Sequence, residues 1–236
     1  MMQREWPANR KSFTKKDLRN VKDYDFVLEQ VNTDSGRYYK TPAGGLYPSV
    51  TTVTGLLGRE AIAKWRSRVG EEEANKISHK AATRGTRIHQ LCEDYINGAP
   101  INRTDYDFND QINFSLLKRV LDAHIDNVHM QEVRLYSDYL KMAGTVDCVA
   151  EYDGKLSIID FKTSKKLKEK RYIINYFCQA AAYAIMYEER TGIPVSQLVI
   201  VISVDEEDPQ VFVEKRDDHV KLLLELREQY RQETGV

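Results

Sequence analysis

Three residues between Gly144 and Thr163 have the types and spacing for metal-assisted chemistry: Asp147, Asp160 and Lys162. The stretch consists of two alternating apolar runs joined at Asp153-Gly154, a pair that favours a tight hairpin. Folding back lays the second run beside the first, so Asp147 and Asp160 approach one another. Side chains alternate along a strand, so Asp160 and Lys162 share one face and Phe161 takes the other. Two carboxylates and an ammonium then converge at a sheet edge. Hard divalent cations are held by one or two carboxylates together with substrate phosphates, and a lysine beside them can orient or deprotonate water. The grouping suits hydrolysis of a phosphodiester. The commoner meaning of an acid near a lysine on a strand is a solvated ion pair of little energetic weight. Against that, Asp160 ends the run Ser157-Ile158-Ile159, and Val146, Cys148 and Val149 surround Asp147. Charges at the ends of buried strands are costly without a partner or a task.

The elements that must position these residues follow in order. Residues 26–32 and 37–41 read as a hairpin around Thr33-Asp34-Ser35-Gly36, and 42–48 as a loop flexible at Gly44-Gly45. Ser49 or Thr51 caps a short helix that ends near Gly58. Helical periodicity predicts helices over 60–69, 72–95 and 107–127, the second stopped by Asn97-Gly98-Ala99-Pro100. Strands are expected at 130–137, 142–152 and 155–161. A helix over 171–190 stops at Gly192-Ile193-Pro194, strands follow at 197–204 and 211–214, and a charged helix begins near Asp217. The order predicts one α/β core with an α-helical N-terminal region wrapped on it.

Composition narrows the class. The chain has 236 residues, 42% of them hydrophobic and 30% charged, with a formal net charge of -1. No apolar run approaches the roughly 20 residues that span a bilayer, so no membrane partner is expected. Global charge announces no nucleic acid, but local charge does: residues 162–171 hold Lys162, Lys165, Lys166, Lys168, Lys170 and Arg171 against Glu169 alone. The first twenty residues are also basic. Without the apolar core of a secretory signal or a clear amphipathic repeat, they read as a solvated basic arm. Cys92, Cys148 and Cys178 are widely spaced and odd in number, which gives no disulfide framework, no zinc ribbon and too few thiolates for an iron–sulfur cluster.

Other residues are candidates by position. His89 and Glu93 are four apart and share a helix face; neutral imidazole is a common metal ligand, though a lone helix histidine is more often structural. Gln179 and Tyr183 are also four apart, on a helix whose Ala180, Ala181 and Ala184 permit close packing on a sheet. If that helix borders the site, Gln179 can bond a phosphate or the lysine, and Tyr183 can stack on a base. Glu132, on the strand before Asp147, is either a third carboxylate or an exposed strand acid.

In order, these elements are a helix with His89, three strands carrying Glu132, Asp147, Asp160 and Lys162, a helix with Gln179 and Tyr183, and a strand. The series resembles the PD-(D/E)XK nuclease superfamily, and within it the RecB-like group. That group's motifs G-x-x-x-H, G-x-x-D, D-x-K and Q-x-x-x-Y correspond here to Gly85 to His89, Gly144 to Asp147, Asp160 to Lys162 and Gln179 to Tyr183. Each motif is weak alone, whereas four in the right order are strong together. The resemblance implies a restriction-endonuclease-like core, a mixed β-sheet flanked by helices. It implies one nuclease domain over 1–236, with an arm and hairpin at 1–46, a helical region at 47–127 and an α/β catalytic core at 128–236. Asp147 and Asp160, with the Phe161 carbonyl and the His89 ring, would hold Mg²⁺ or Mn²⁺. Lys162 would position or activate the attacking water, Gln179 would support Lys162 or a phosphate, and Glu93 and Glu132 are open to a supporting role. Arg84, Arg87, Lys165, Lys166 and Lys168 would contact phosphates, and Tyr38, Tyr39, Tyr47 or Trp65 would stack on bases. Members that carry an iron–sulfur cluster hold it with four cysteines that this chain lacks.

The resulting expectation is a metal-dependent DNA exonuclease acting on single-stranded or frayed ends in replication, repair or recombination, with proteins of those processes as partners. Its expected setting is the cytoplasm of a bacterial or phage-infected cell rather than a mitochondrion. Three other readings stay open. One is a duplex-end exonuclease or structure-specific endonuclease of the same fold. Another is an inactive DNA-binding module, although binding alone does not require paired carboxylates facing phosphates. The last is a purely structural α/β domain, which leaves the ordered motifs unexplained.

Overall fold

The computed structural model describes residues 6–7, 9–18, 27–33 and 36–236. Residue 26 and the tip of the first hairpin, 34 and 35, lie outside them, as do the first five residues of the basic arm. Two sheets and six helices make up the described chain. A small antiparallel sheet is formed by β1 (Glu29–Thr33), β2 (Gly36–Lys40) and β3 (Leu46–Pro48). The third strand replaces part of the loop expected at 42–48. Its three residues are too few for a periodic signal, and the turn is made by Thr41, whose hydroxyl accepts from Gly45 N–H at 3.0 Å.

The chain then turns helical. Ser49 caps α1 (Val50–Thr54), accepting from Thr52 N–H, and a 3-10 turn (Gly55–Gly58) continues into α2 (Arg59–Val69). After Gly70 comes α3 (Glu71–Asn97), 27 residues and so about 40 Å long. Apart from Ala74 in its first turn, its buried residues lie in its last third: Ile88, Leu91, Cys92, Tyr95 and Ile96 follow helical spacing and bury one stripe. Gly98, at φ 69°, ends it in the left-handed cap geometry. The next helix, α4 (Phe108–His124), is capped by Asp107.

The main sheet has the order β4 (Ile125–Ser137), β5 (Met142–Tyr152), β6 (Lys155–Ser164), β7 (Gln197–Val204) and β8 (Gln210–Lys215). All pairings are antiparallel except β6–β7, which are parallel and joined through α5 (Ile174–Thr191). A last helix, α6 (Asp217–Thr234), packs on α5. The sheet is buried on both faces. Phe161, Ile159, Cys148 and Val201 join α3 and α4 in one core, while Ile158, Val149, Ile200 and Ile202 join α1, α5 and α6 in the other. This is the mixed sheet flanked by helices that the motif order implied.

Several boundaries differ from expectation for local reasons. The sequence periodicity carries α4 to 127, but the helix ends at His124 and β4 begins at once, with Asn127 at φ 45° inside a bulge between Asp126 and Met130. Strand β6 runs on to Ser164, because its pairing with β7 continues to Ser164↔Val204. Helix α5 starts at 174, since a 3-10 turn (Lys170–Tyr172) takes up the preceding residues. The described part of the basic arm is tied down rather than solvated. Arg10 donates to the carbonyls of Asp94, Tyr95 and Ala99 at the end of α3, and Lys11 donates to Asp122 and Ile125 at the end of α4. Cations suit those places because helix C-termini expose unpaired carbonyls. Among the described residues, no helix is long and apolar enough to cross a membrane.

Candidate active site

The β5–β6 ladder runs from Tyr152↔Lys155 at the turn to Cys148↔Ile159, and there it forks. Asp147 and Asp160 are the next positions in that register. Beyond the fork the Phe161 N–H donates to Asp147 Oδ2 at 2.9 Å, which fixes the carboxylate. On the other side of β5, the pairs Gln131↔Cys148 and Val133↔Val146 bracket Glu132 opposite Asp147. Glu132 has φ 50°, a left-handed backbone that costs energy for a residue with a β-carbon and that gathers at functional positions. Asp147 therefore has an acid beside it on each neighbouring strand.

Helix α3 brings His89 to this fork. Its Nδ1 lies 3.6 Å from Asp147 Oδ2 and 3.9 Å from Glu132 Oε1, with the ring edge-on to Phe161. One ligand atom each from His89, Glu132 and Asp147 lie within 4.8 Å of one another. One imidazole and two carboxylates at that spacing can hold a divalent cation, with hard ions favoured by the oxygen donors. Burial works against an imidazolium at His89. The nearby Glu132 carboxylate and the charge of Asp147 outweigh it and raise the pKa above its ordinary value. Negative charge is thus in local excess, which is the condition a bound cation relieves.

Asp160 sits on the opposite face of β6 from Phe161, with 1% of its surface exposed. Its Oδ1 accepts from Gln179 Nε2 at 3.0 Å. Its Oδ2 faces the Lys162 ammonium and takes no other hydrogen bond. Burial pushes this carboxyl up in spite of the lysine. Burial also opposes the Lys162 charge, but Asp160 and Asp147 more than compensate, so the lysine is held protonated. In this arrangement Lys162 is a hydrogen-bond donor with its Nζ 5.2 Å from the Tyr176 ring centroid.

Gln179 and Tyr183 lie one turn apart on the face of α5 that meets β5 and β6. Tyr183 is 2% exposed, its hydroxyl bonded to Gln179. That hydroxyl lies directly over Gly144, where a Cβ would approach to 2.8 Å. The glycine of G-x-x-D and the tyrosine of Q-x-x-x-Y are therefore two halves of one packing contact. Buried in this way, Tyr183 forms the floor of the site and does not stack on a base. Tyr38 and Tyr39 are buried too, which removes them as base platforms, while Tyr47 and Trp65 are partly exposed.

Three cavities surround these residues. One of about 410 Å³ is lined by His89, Asp147, Lys162 and Gln179, together with Arg37, Ser49, Thr51, Asn175 and Tyr176. Behind His89, a cavity of about 310 Å³ holds Glu132 and Glu93. Burial, then the charge of Glu132, raises the Glu93 carboxyl, so Glu93 stands beside Glu132 rather than apart from the acids. A larger groove of about 800 Å³ lies between α3, α4 and the end of β6, with Lys165, Lys166 and Lys168 exposed along it. Arg84 and Arg87 line it, but their guanidinium groups are already engaged. Arg84 holds Asp205 at 2.6 Å, and Arg87 holds Asp107 at 3.0 Å and the buried Asp110.

The presence of Arg37, Thr51 and Asn175 in the lining of the 410 Å³ cavity was not foreseen. Asn175 carried a usable signal, since Asn175, Gln179 and Tyr183 are each four apart on one helix stripe. Arg37 carried none, because it comes from the separate N-terminal sheet.

Comparison with known proteins bears on this geometry. The mitochondrial genome maintenance exonuclease 1 of Xenopus tropicalis is 29% identical over 210 residues, covering 81% of this chain and 60% of its own length. The Mus musculus protein of the same name is 26% identical over 155 residues, covering 63% of this chain and 46% of its own. The chain thus spans between about half and three fifths of the length of these relatives. Among solved structures, a Eubacterium rectale protein described as a candidate exonuclease overlaps 63% of this chain and 64% of its own at 12% identity, with a TM-score of 0.44, too loose an overlap to bear on function. The profile of the PD-(D/E)XK nuclease superfamily matches residues 114–234, which hold every strand of the main sheet together with α5 and α6. With more than half of its length matched, and with the forked strands and their acids in place, this chain belongs to the PD-(D/E)XK nuclease superfamily.

Proposed function

We propose that this protein is a metal-dependent DNA exonuclease that hydrolyses phosphodiester bonds from single-stranded or frayed ends. The observation that carries the reading is the convergence of His89, Glu132 and Asp147 within 4.8 Å, beside the Asp160–Lys162 pair, at the wall of an open cavity. His89, Glu132 and Asp147 would hold Mg²⁺ or Mn²⁺, with Asp160 and the Phe161 carbonyl at the same fork. The chemistry such an ion supplies is Lewis-acid stabilisation of charge on the phosphate during in-line attack by water. The chain's own groups do the rest. Asp147 is locked by the Phe161 N–H. Gln179 holds Asp160, which in turn aims the Lys162 ammonium. Lys162, kept charged, donates to the attacking water or to a phosphoryl oxygen and orients it. The exposed lysines 165, 166 and 168 supply sequence-independent attraction for the strand. Residues 1–236 are read as one nuclease unit. The names of the relatives support the exonuclease and DNA parts of this reading.

The test is digestion of end-labelled single-stranded DNA, linear and circular, with Mg²⁺, Mn²⁺ or EDTA, beside the Lys162→Ala protein. The expected result is metal-dependent loss of linear strands only, absent in the variant. Cleavage of circles would make the enzyme an endonuclease, and the absence of cleavage with any metal would favour a duplex-end substrate or a binding module.

A further inference from the structure

Arg37 lines the 410 Å³ cavity that also holds His89, Asp147 and Lys162, and its position is built rather than incidental. Its carbonyl accepts from Ser49 N–H at 2.7 Å, and its own N–H reaches Thr52 Oγ1 at 3.4 Å. The preceding Gly36, at φ 131°, is pressed against Thr52, where a Cβ would meet Cγ2 at 2.8 Å. Ser49 is in turn bridged to Ala143, the residue before Gly144 on β5. A chain of backbone ties therefore runs from Arg37 through the α1 cap to the strand that carries Asp147. This residue of the small sheet keeps a set distance from the acids of the large one.

The charges explain why that matters. Arg84 and Arg87, the arginines of the neighbouring groove, are neutralised by Asp205, Asp107 and Asp110. Lys162, inside the cavity, is neutralised by Asp160. Among the described residues the Arg37 guanidinium has no carboxylate partner, and the cavity it lines also carries Ser49, Thr51 and Asn175, hydroxyls and an amide. A planar fork of donors held beside neutral hydrogen-bonding groups is suited to a phosphate.

We propose that Arg37, with Thr51 and Asn175, binds a phosphate of the DNA strand next to the scissile one, so that the N-terminal sheet is part of the substrate site. The inference rests on the nuclease reading and adds a residue to it. Arg37 is a binding and register-setting residue: the strand is gripped at one phosphate by the guanidinium while its neighbour is presented to the His89–Glu132–Asp147 group. The phosphate is either an internucleotide link or a phosphorylated strand end.

The experiment measures binding of a fluorescent single-stranded oligonucleotide to protein carrying Asp160→Asn, which blocks cleavage, with and without Arg37→Ala, across a salt series. Arg37→Ala is expected to weaken binding about tenfold, as for loss of a charged hydrogen bond, and to lower the salt slope by about 0.7, the value for one phosphate contact on a single strand. Arg37→Lys should restore the salt slope but not the full affinity, because an ammonium cannot make the forked contact. Replacing single phosphates by neutral methylphosphonates locates the contact. One linkage should be costly to the parent and free to Arg37→Ala; if a 5′- or 3′-terminal phosphate shows that pattern instead, the pocket reads a strand end. Equal affinity and slope with and without Arg37, or equal penalties at every linkage in both proteins, would overturn the assignment while leaving the nuclease reading intact. Failure of the otherwise wild-type protein to bind or cut DNA would remove both.

Discussion

Two cavities flank the middle of α3, and the larger is not the one that holds the clustered acids. The 800 Å³ groove is lined by charges that are either exposed to water or matched: Arg84 with Asp205, Arg87 with Asp107 and Asp110. At the 410 Å³ cavity Lys162 is matched by Asp160, but the remaining acids are not. Asp147 lies against Glu132 across the strand register, and both lie against His89. Like charges this close are held at a cost. The cost persists only because three strands and a helix fix each side chain separately. Room and positive charge make a surface that attracts a strand, while unrelieved negative charge in a fixed frame makes a place for a cation and a reaction.

The comparison breaks or sharpens under substitution. The largest effect is expected at the fork. Asp147→Ala or Lys162→Ala should lower the single-turnover cleavage rate by about a thousandfold or more, the scale of losing a principal electrostatic group. Arg87→Ala, in the groove, should leave cleavage within about tenfold and appear instead as roughly 1–3 kcal/mol of lost stability in chemical denaturation, because Asp110 is left buried without its partner. If the two variants lose activity equally, the division between the cavities is wrong.

Next in size is the response to cation. Mn²⁺ at a hundredfold excess over its dissociation constant should stabilise the protein by about 2.7 kcal/mol, read as a rise in melting temperature over an EDTA-treated sample. Glu132→Gln should diminish that rise and Glu93→Gln should diminish it less. An equal rise in all three proteins would place the ion elsewhere. Gly144→Ala tests the packing beneath the site. The new Cβ meets the Tyr183 hydroxyl at 2.8 Å, and overpacking of this kind costs about 1–3 kcal/mol. Tyr183→Phe in the same chain should recover part of it, since the nearest clashing atom is removed.

The smallest effect contrasts two histidines. His89 is raised by its acids, whereas His129 on β4, bonded through Nδ1 to the Tyr187 hydroxyl at 2.6 Å, is lowered by burial and then by Lys16. With the folded value depressed, the unfolded chain takes up the proton first as pH falls through about 6.5, so the folded state loses stability there. Denaturation midpoints should decline from pH 7 toward 5.5 in the wild type and decline less in His129→Gln. An identical decline would show that His129 does not titrate differently on folding.

Much of the site was legible because its rules are local. Asp153-Gly154 specifies a two-residue turn, the turn specifies register, and register alone places Asp147 opposite Asp160. Alternation put Asp160 and Lys162 on one face, and a spacing of four put Gln179 and Tyr183 on one helix stripe. The α/β core followed from the order of elements, and the mixed sheet from the family resemblance that the ordered motifs carried. Less legible were the short strand β3, too brief for a period, and the end of α4, where Asn127 takes a left-handed turn that the surrounding residues do not announce.

The sequence by itself singled out most of the candidate residues and the elements that bear them, since spacing, alternation and turn type act within a few positions. The tertiary structure alone decided how those residues are used. Glu132 joins the cluster only through its kinked backbone in the β4–β5 register. Arg84 and Arg87 are taken out of play by acids as far away in the chain as Asp205. Arg37 enters only because backbone bonds to Ser49 and Thr52 seat one sheet against another. Each depends on a pairing between distant segments, where the free energy of closing the loop and matching the charges is settled by the whole fold, with no periodic trace in either segment.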